Sequence, residues 1–307
     1  IRRLSGRDDR LIMDSQTGHN TEQAIPRPHY LKVFLTFARN SLVRDMTFRF
    51  NFLLQCVSST SWTAMNIGFY LIVFSFTDEI GIDTGWGKYQ FFVFLSTTWL
   101  INSLVQAFFM PNAQEFSELI RTGNLDFALV KPIDTQFLIS FQKVEWSALS
   151  NFLMGLILLV YSLWHLMGDT LSPLVLNPLV LLLYPVFILC GMMIMYSVMI
   201  TLAATSIWLG RNQTLYNFWF YLTNFSRYPM EIYWRSWGWS LWAIFTFVIP
   251  VLVVVNIPAR LMARPLSPRA GWEIWLTLFA VVATLMSLKL SRMVFQRALY
   301  SYRSASS

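Results

Sequence analysis

The side chains that most often carry enzyme chemistry are few in this sequence and lie far apart. The three histidines are His19, His29 and His165, and the two cysteines, Cys56 and Cys190, each fall inside an apolar segment. A zinc site or a nucleophilic catalytic set needs several such groups held together. We therefore expect no metal site, no bound cofactor and no catalytic cluster in this chain, which argues against an enzyme.

The sequence also contains no phosphate-binding loop for ATP. That motif reads G-x-x-x-x-G-K-[ST], and the nearest match, Gly85-Trp86-Gly87-Lys88, lacks its spacing. Any ATP that drives this protein is therefore predicted to bind to another polypeptide.

A patterned group of ionisable side chains lies in residues 111–146, between two apolar segments. Glu115, Glu118 and Arg121 fall on one face of a short amphipathic helix. Gly123 or Asn124 is expected to end that helix, because both residue types adopt the left-handed conformation of a helix C-terminus.

The remainder of this stretch completes a compact unit. Residues 125–130 form an apolar turn, and Lys131-Pro132 breaks the chain before a second helix. The pattern predicts a rigid knob that engages another subunit. Alternatively, these residues only cap and stiffen a loop.

Uncharged polar residues within apolar segments are the other candidates for function. Asn102, Gln106 and Asn217 are predicted to line a pathway, and the alternative is that such residues join helices by hydrogen bonds. A stripe of Ser197, Thr201 and Thr205 is assigned to helix packing or to contact with a second subunit.

The elements that position these residues are predicted to be membrane helices. The chain is 55% hydrophobic and only 13% charged, which does not fit a water-soluble surface. The composition also argues against a nucleic-acid-binding protein, because the net charge of +7 is spread around apolar segments. Six apolar segments are candidate spans, at residues 52–76, 91–110, 146–167, 179–209, 239–255 and 271–290.

Basic residues set the orientation. They crowd the segment before the first span, so the N-terminus is predicted to be cytoplasmic, and six crossings make the C-terminus cytoplasmic as well. Arg260, Arg264 and Arg269 would then lie outside, against the rule.

The N-terminal region divides into two parts. Residues 1–28 are predicted to form a flexible tail, and residues 29–50 show apolar residues at helical spacing with basic residues between them. This pattern predicts an amphipathic helix on the inner leaflet, or equally one packed on a partner protein. A six-span domain over residues 51–303 and a short tail over 304–307 complete the organisation.

Three sequence motifs resemble one protein family. The run from Ile120 to Pro132, IRTGNLDFALVKP, is similar to the I-R-x-G-x-L-D-x-x-L-x-[RK]-P stretch of permease subunits of ABC-2 type transporters, in the branch that includes viologen-exporter-like bacterial permeases. The run FSRYPMEIY at residues 225–233 resembles F-x-R-Y-P-x-x-I-Y, and residues 249–260 resemble its proline-containing ending.

The resemblance implies an all-α exporter fold with six transmembrane helices in the bacterial inner membrane. It implies that the loop at 111–145 couples this permease to two separate ATPase subunits, which carry ATP and Mg. It also implies a second permease, identical or related, and contact with membrane lipids. The residues matched as coupling candidates are Glu115, Glu118, Arg121, Gly123, Leu125, Asp126, Lys131 and Pro132.

The family fold also changes the expected position of the fifth span. It favours a span at 213–228 followed by an outer re-entrant hairpin at 232–259, whereas hydropathy favours 239–255 as the span. Arg227 would then lie near the outer surface. The residues assigned to this outer motif are Arg227, Tyr228, Pro229, Pro250 and Pro258.

Because the spans hold few charges, the expected substrate is hydrophobic, amphipathic or a lipophilic cation. Two other functions fit the same pattern. One is an ATP-independent carrier or channel, and the other is a membrane scaffold without transport.

Overall fold

The computed structural model describes residues 29–81, 84–169, 174–175, 177–209, 220–221, 224–234, 238–264 and 271–302. Within these ranges the fold is helical, with one isolated β-bridge between Glu79 and Gly87. In chain order the α-helices are α1 (Tyr30–Thr47), α2 (Arg49–Phe76), α3 (Lys88–Phe108), α4 (Met110–Arg121), α5 (Leu125–Leu129), α6 (Thr135–Phe141), α7 (Leu149–Met167), α8 (Pro178–Leu209), α9 (Glu231–Trp234), α10 (Trp239–Ala243), α11 (Val251–Ala263) and α12 (Gly271–Ser301).

Four stretches of helix are long and apolar enough to cross a membrane. They are Lys88–Arg121, Trp146–Met167, Pro178–Leu209 and Trp275–Ser301. A fifth candidate is the pair Trp239–Val248 and Val251–Ala263, which is bent by 88° at the break between its two helices. The helices therefore match an integral membrane protein.

The predicted first span, 52–76, lies in α2, which is not among these four stretches. At 28 residues α2 is about 42 Å long, enough to cross a bilayer. Its polar residues Gln55, Ser58 and Ser59 lower its apolar character, and they line a partly open cavity. Length alone would allow α2 to cross, and the polar stripe explains its weaker hydropathy.

The bundle has two distinct ends. We call the end that carries residues 110–146 the knob end, and the end that carries residues 77–87 the far end. The helix α2 begins at the knob end, where Trp146 Nε1 donates to the carbonyl oxygen of Ala38 in the adjacent α1, at 3.2 Å. The helix α3 returns from the far end, so the two helices are antiparallel.

The amphipathic helix α1 has one face packed on the bundle. Its buried residues are Ala38 and Ser41, and Ser41 Oγ accepts a hydrogen bond of 3.1 Å from the backbone N–H of Val144. Phe34 packs edge-on against Phe141 of α6. The protein face of α1 is thus fixed by the segment that leads into α7.

A second face of α1 is apolar and uncovered. Leu31, Leu35, Leu42 and Met46 form a stripe on which each side chain is 38% exposed or more. At 100° per residue this stripe lies beside the protein face, with Lys32 at its edge. The helix ends at Thr47, slightly before the predicted limit of residue 50.

The core of the bundle is built around α8, which packs along α3, α11 and α12. At Gly191 the approach is so close that a Cβ would lie 2.8 Å from the carbonyl oxygen of Val254. That carbonyl has no helical donor, because residue 258 is Pro258 and carries no N–H. Proline on α11 and glycine on α8 therefore meet at one crossing.

The last turn of the bent pair lies at the far end, together with the segment that precedes the pair. Glu231, just before it, pairs with Arg260, close to its last residue, and also accepts a hydrogen bond of 3.0 Å from Trp86 Nε1. The bend falls at Pro250, between the two helices. The Glu231–Arg260 contact thus brings the segment before the bent pair close to its last turn.

These contacts also explain two of the three arginines that break the charge rule. Arg260 is paired with Glu231, and the guanidinium of Arg264 lies 4.5 Å from the ring centroid of Trp86 and donates to the carbonyl of Thr84 at 3.0 Å. Arg269 lies outside the described residues, as do residues 213–219 and 222–223 of the alternative fifth span at 213–228.

Candidate functional site

The knob at residues 111–146 rests on a buried base. Phe116 of α4 is fully buried and packs against Phe295 of α12, with ring centroids 5.8 Å apart. Asn112 holds the returning chain, since its side-chain amide donates to the carbonyl of Lys143 and accepts from the N–H of Lys143. The knob is therefore fixed to the bundle and is not a free loop.

Two ion pairs lie on α4. Glu115 pairs with Lys143 at 2.7 Å, which ties α4 to the returning chain. Glu118 and Arg121 pair within the helix, and their side chains are 54% and 67% exposed. The predicted amphipathic helix thus contains one linking pair and one solvent-exposed pair.

The turn after α4 has the predicted cap. Gly123 has a φ of +73°, in the left-handed region that glycine adopts without a steric penalty. The chain then enters α5, where Leu125 is fully buried and anchors the turn.

The tip of the knob is apolar and exposed. Phe127 is 74% exposed and Val130 is 85% exposed, and Lys131 and Pro132 beside them are exposed as well. Exposed aromatic and aliphatic side chains on a rigid base are typical of a surface that another protein covers.

Asp126 faces the end of the last helix. Burial raises the pKa of Tyr302, and the nearby Asp126 carboxylate raises it further. Of the coupling candidates, Asp126 therefore links α5 to the segment just after α12.

A polar network joins the knob to two membrane helices, and sequence reasoning missed it. Asp134 caps α6 by accepting from the N–H of Phe137 at 3.0 Å, and its carboxylate also accepts from Arg292 Nη1 of α12 at 2.9 Å. The same Nη1 donates to Gln136, which donates in turn to the hydroxyl of Tyr196 on α8.

This network holds the Asp134 carboxylate ionised. The hydrogen bond from Arg292 lowers the pKa of Asp134, and the N–H of Phe137 adds to the effect. Since Asp134 and Arg292 are 158 residues apart in sequence, no local spacing signals the pair.

The second candidate region is a cavity of about 550 Å³ between α2, α3, α4 and the residues before α9. Asn102 and Gln106, two predicted pathway residues, both line it. The third, Asn217, lies outside the described residues. The other residues that line the cavity are Gln55, Ser58, Ser59, Met110, Gln114, Glu145, Ser147, Ala148, Phe220 and Arg227.

The residues of the outer motif take several positions. Arg227, expected near the outer surface, lines the cavity. Tyr228 is exposed, whereas Pro229 is buried. Pro250 precedes α11, and Pro258 lies within it.

The polar stripe on α8 bonds mainly to its own helix. Ser197, Thr201 and Thr205 each donate to a backbone carbonyl three or four residues earlier. These bonds do not separate the two predicted roles, helix packing and contact with a second subunit, and both stay predictions.

Comparison with known families decides the identity. The family described as "ABC-2 family transporter protein" matches residues 60–306, most of the chain. The chain belongs to the ABC-2 transporter family. Searches of curated proteins and of solved structures each returned no match.

Membership of this family means that the knob and the cavity belong to the membrane component of a transporter. ABC-2 permeases are the membrane components of ABC transporters, which work with ATP-binding-cassette ATPases. The match covers the knob, the bent pair and the residues that line the cavity except Gln55, Ser58 and Ser59, but it does not distinguish branches of the family. The viologen-exporter-like branch therefore remains a prediction.

Proposed function

We propose that this ABC-2 permease is one half of an exporter and is driven by two ATPase subunits that bind its knob. ATP and Mg are held by those subunits. The carrying observation is the tip of the knob, where Phe127 and Val130 are exposed while Leu125 beneath them is fully buried.

The exposed tip is held in one conformation by the buried base of the knob. An apolar surface exposed on a flexible loop would lose much of its binding energy to ordering on association. Here the base is already ordered by Phe116 and Asn112, so a partner gains the burial of Phe127 without that cost. Lys131 adds a positive charge at the edge for orientation.

The knob end is proposed to face the cytoplasm of a bacterial inner membrane, with both termini on that side. Basic residues before α2 support this orientation. In the proposed topology six helices cross, namely α2, α3, α7, α8, the segment at 213–228, and α12. The contact between Glu231 and Arg260 supports an outer re-entrant hairpin, because both ends of the bent pair lie together.

The proposed substrate is a hydrophobic, amphipathic or lipophilic cationic compound, moved along a pathway that includes Asn102, Gln106 and Asn217. A second permease, identical or related, completes that pathway. The apolar stripe of α1, centred on Leu35 and Leu42, is proposed to lie on the inner leaflet.

Co-purification tests this proposal. The permease is co-expressed with candidate ATP-binding-cassette subunits from its own genome, beginning with any encoded beside it. Phe127→Glu should abolish co-purification and ATP-dependent transport, because it places a charge in the buried part of the contact.

A matched control is Val175→Glu. Val175 is 78% exposed, similar to Phe127 at 74%, but lies in the segment between α7 and α8, away from the knob. This variant should retain the ATPase. If both variants bind the ATPase as the wild type does, the knob is not the coupling surface.

The same experiment separates the two other functions. Transport that continues without any ATPase and follows an ion gradient would identify a carrier or channel. Partner binding with no flux would identify a scaffold.

A further inference from the structure

One wall of the cavity between α2 and α3 consists of regularly spaced residues, three of which are polar. Asn102, Gln106, Met110 and Gln114 recur every four residues and line the same side of the cavity along α3 and α4. Over that distance the wall extends roughly 18 Å. The cavity is therefore elongated, and its volume of about 550 Å³ falls within the range of small-molecule sites.

Two opposite charges line this one cavity. Arg227 is exposed to it, and Glu145 is partly exposed to it. They do not pair with each other, and within the described residues neither has a partner of opposite charge. Arg227 has its guanidinium 5.3 Å from the ring centroid of Phe220, and Glu145 accepts a hydrogen bond of 3.3 Å from Ser147.

Such an arrangement contrasts with the other ion pairs of the chain. Glu231 with Arg260 and Asp134 with Arg292 satisfy each other directly. An ionisable side chain within a membrane domain is costly when it has no partner and marks a binding function by default. Arg227 and Glu145 line the same cavity as the amides of Asn102 and Gln106, so a ligand with both charges would give each of the two charges a partner.

We propose that this cavity binds the polar end of a zwitterionic amphiphile, with its anionic group at Arg227, its ammonium group at Glu145, and the side-chain amides between them as hydrogen-bond partners. The inference rests on the proposed export function and narrows its substrate class. It disfavours a purely cationic compound, because Arg227 would repel it while Glu145 attracts it.

Binding to the purified full chain tests the inference. The chain is kept in an uncharged maltoside detergent, and three probes with the same alkyl chain are titrated: dodecylphosphocholine, dodecyl phosphate and dodecyltrimethylammonium. The readouts are the melting temperature and the tryptophan fluorescence. The zwitterionic probe should bind saturably and about tenfold more tightly than either singly charged probe, since each lost charge contact is expected to cost that much.

Two variants remove the charges one at a time. Arg227→Gln should weaken the zwitterionic and the anionic probes about tenfold and leave the cationic probe unchanged or stronger. Glu145→Gln should weaken the zwitterionic probe and spare the anionic probe. Arg227→Lys should restore much of the lost binding, because it keeps the charge.

The matched control uses an ion pair outside the cavity. Arg121→Gln and Glu118→Gln change the same residue types on the exposed face of α4, so probe binding should not change. The melting temperature without probe shows whether a variant is folded, and only folded variants are compared.

Three results would overturn the inference. One is equal binding of all three probes, and a second is tightest binding of the cationic probe. The third is unchanged binding in Arg227→Gln together with an altered oligomeric state, which would place Arg227 in a subunit contact. None of these measurements uses an ATPase, so they succeed or fail independently of the co-purification test.

Discussion

The ion pairs at the two ends of the bundle differ in how far they are exposed. At the far end, Arg260 and Glu231 are only 10% and 21% exposed and lie against the fully buried Trp86. At the knob end, Arg121 and Glu118 are 67% and 54% exposed, and the apolar Phe127 is exposed near them. The charges of the far end are therefore satisfied within the chain, whereas the knob end leaves charged and apolar side chains exposed for contact with another molecule.

The largest loss of stability is expected from breaking the ion pair at the far end. Glu231→Gln should lower the free energy of unfolding by about 3 kcal/mol, because it leaves Arg260 buried beside a neutral group. The melting temperature in detergent measures this loss.

The control at the same end is Asp78→Asn, which changes an exposed carboxylate and should have no effect. The double variant Glu231→Leu with Arg260→Met should recover most of the loss, since it removes both charges. An unchanged melting temperature in Glu231→Gln would show that the far end does not depend on the pair.

A smaller effect is expected from the turn that shapes the knob. Gly123→Ala should cost about 1 to 2 kcal/mol, because its φ of +73° is unfavourable for a residue with a Cβ. Gly168→Ala is the matched control, since Gly168 has a φ of −84° and can accept a side chain. Equal melting temperatures for the two variants would show that the turn at Gly123 is not constrained.

The smallest effect is expected from the link between the knob and α12. Arg292→Gln should cost about 1 kcal/mol, since water partly screens its contact with Asp134. Arg121→Gln, in the exposed pair, should be neutral in stability. If the proposed function holds, Arg292→Gln should also retain the ATPase while transport falls, because the knob then moves without α12.

The pH dependence of this variant gives a second check. Arg292 lowers the pKa of Asp134 in the folded chain, so the pair stabilises the fold above the usual pKa of an aspartate. That contribution is lost as the pH falls through the lowered pKa. The stability difference between wild type and Arg292→Gln should thus be constant near neutral pH and shrink only below about pH 4. If the stability difference already shrinks above pH 6, a titratable group other than Asp134 is responsible for the pH dependence.

Local sequence signals predicted the local structure well. The glycine cap at Gly123 and the helices around residues 146–167 and 179–209 follow from conformational preference and from long apolar runs. The break next to Pro250 follows from the missing N–H of proline. These features depend on residues within one or two helical turns of each other.

Contacts between distant residues were not predictable in this way. The bond from Arg292 to Asp134 and the pair of Glu231 with Arg260 depend on how whole helices pack. Asn102 and Gln106 stood out as polar residues in an apolar segment, but nothing near them indicated that Arg227 would share their cavity. The sequence pattern thus predicted the individual helices. The ion pairs could not be predicted from it, because they depend on how those helices pack together.

The tie between α1 and the start of α7 bears on how the protein is made. Trp146 bonds to Ala38, 108 residues earlier, and Val144 bonds to Ser41, 103 residues earlier. At typical rates of synthesis α1 emerges roughly 5 to 20 s before these partners exist. During that interval α1 lacks its docking site in this chain. Its other face, at Leu35 and Leu42, is proposed to lie on the inner leaflet and can hold the helix at the lipid surface until translation supplies that site.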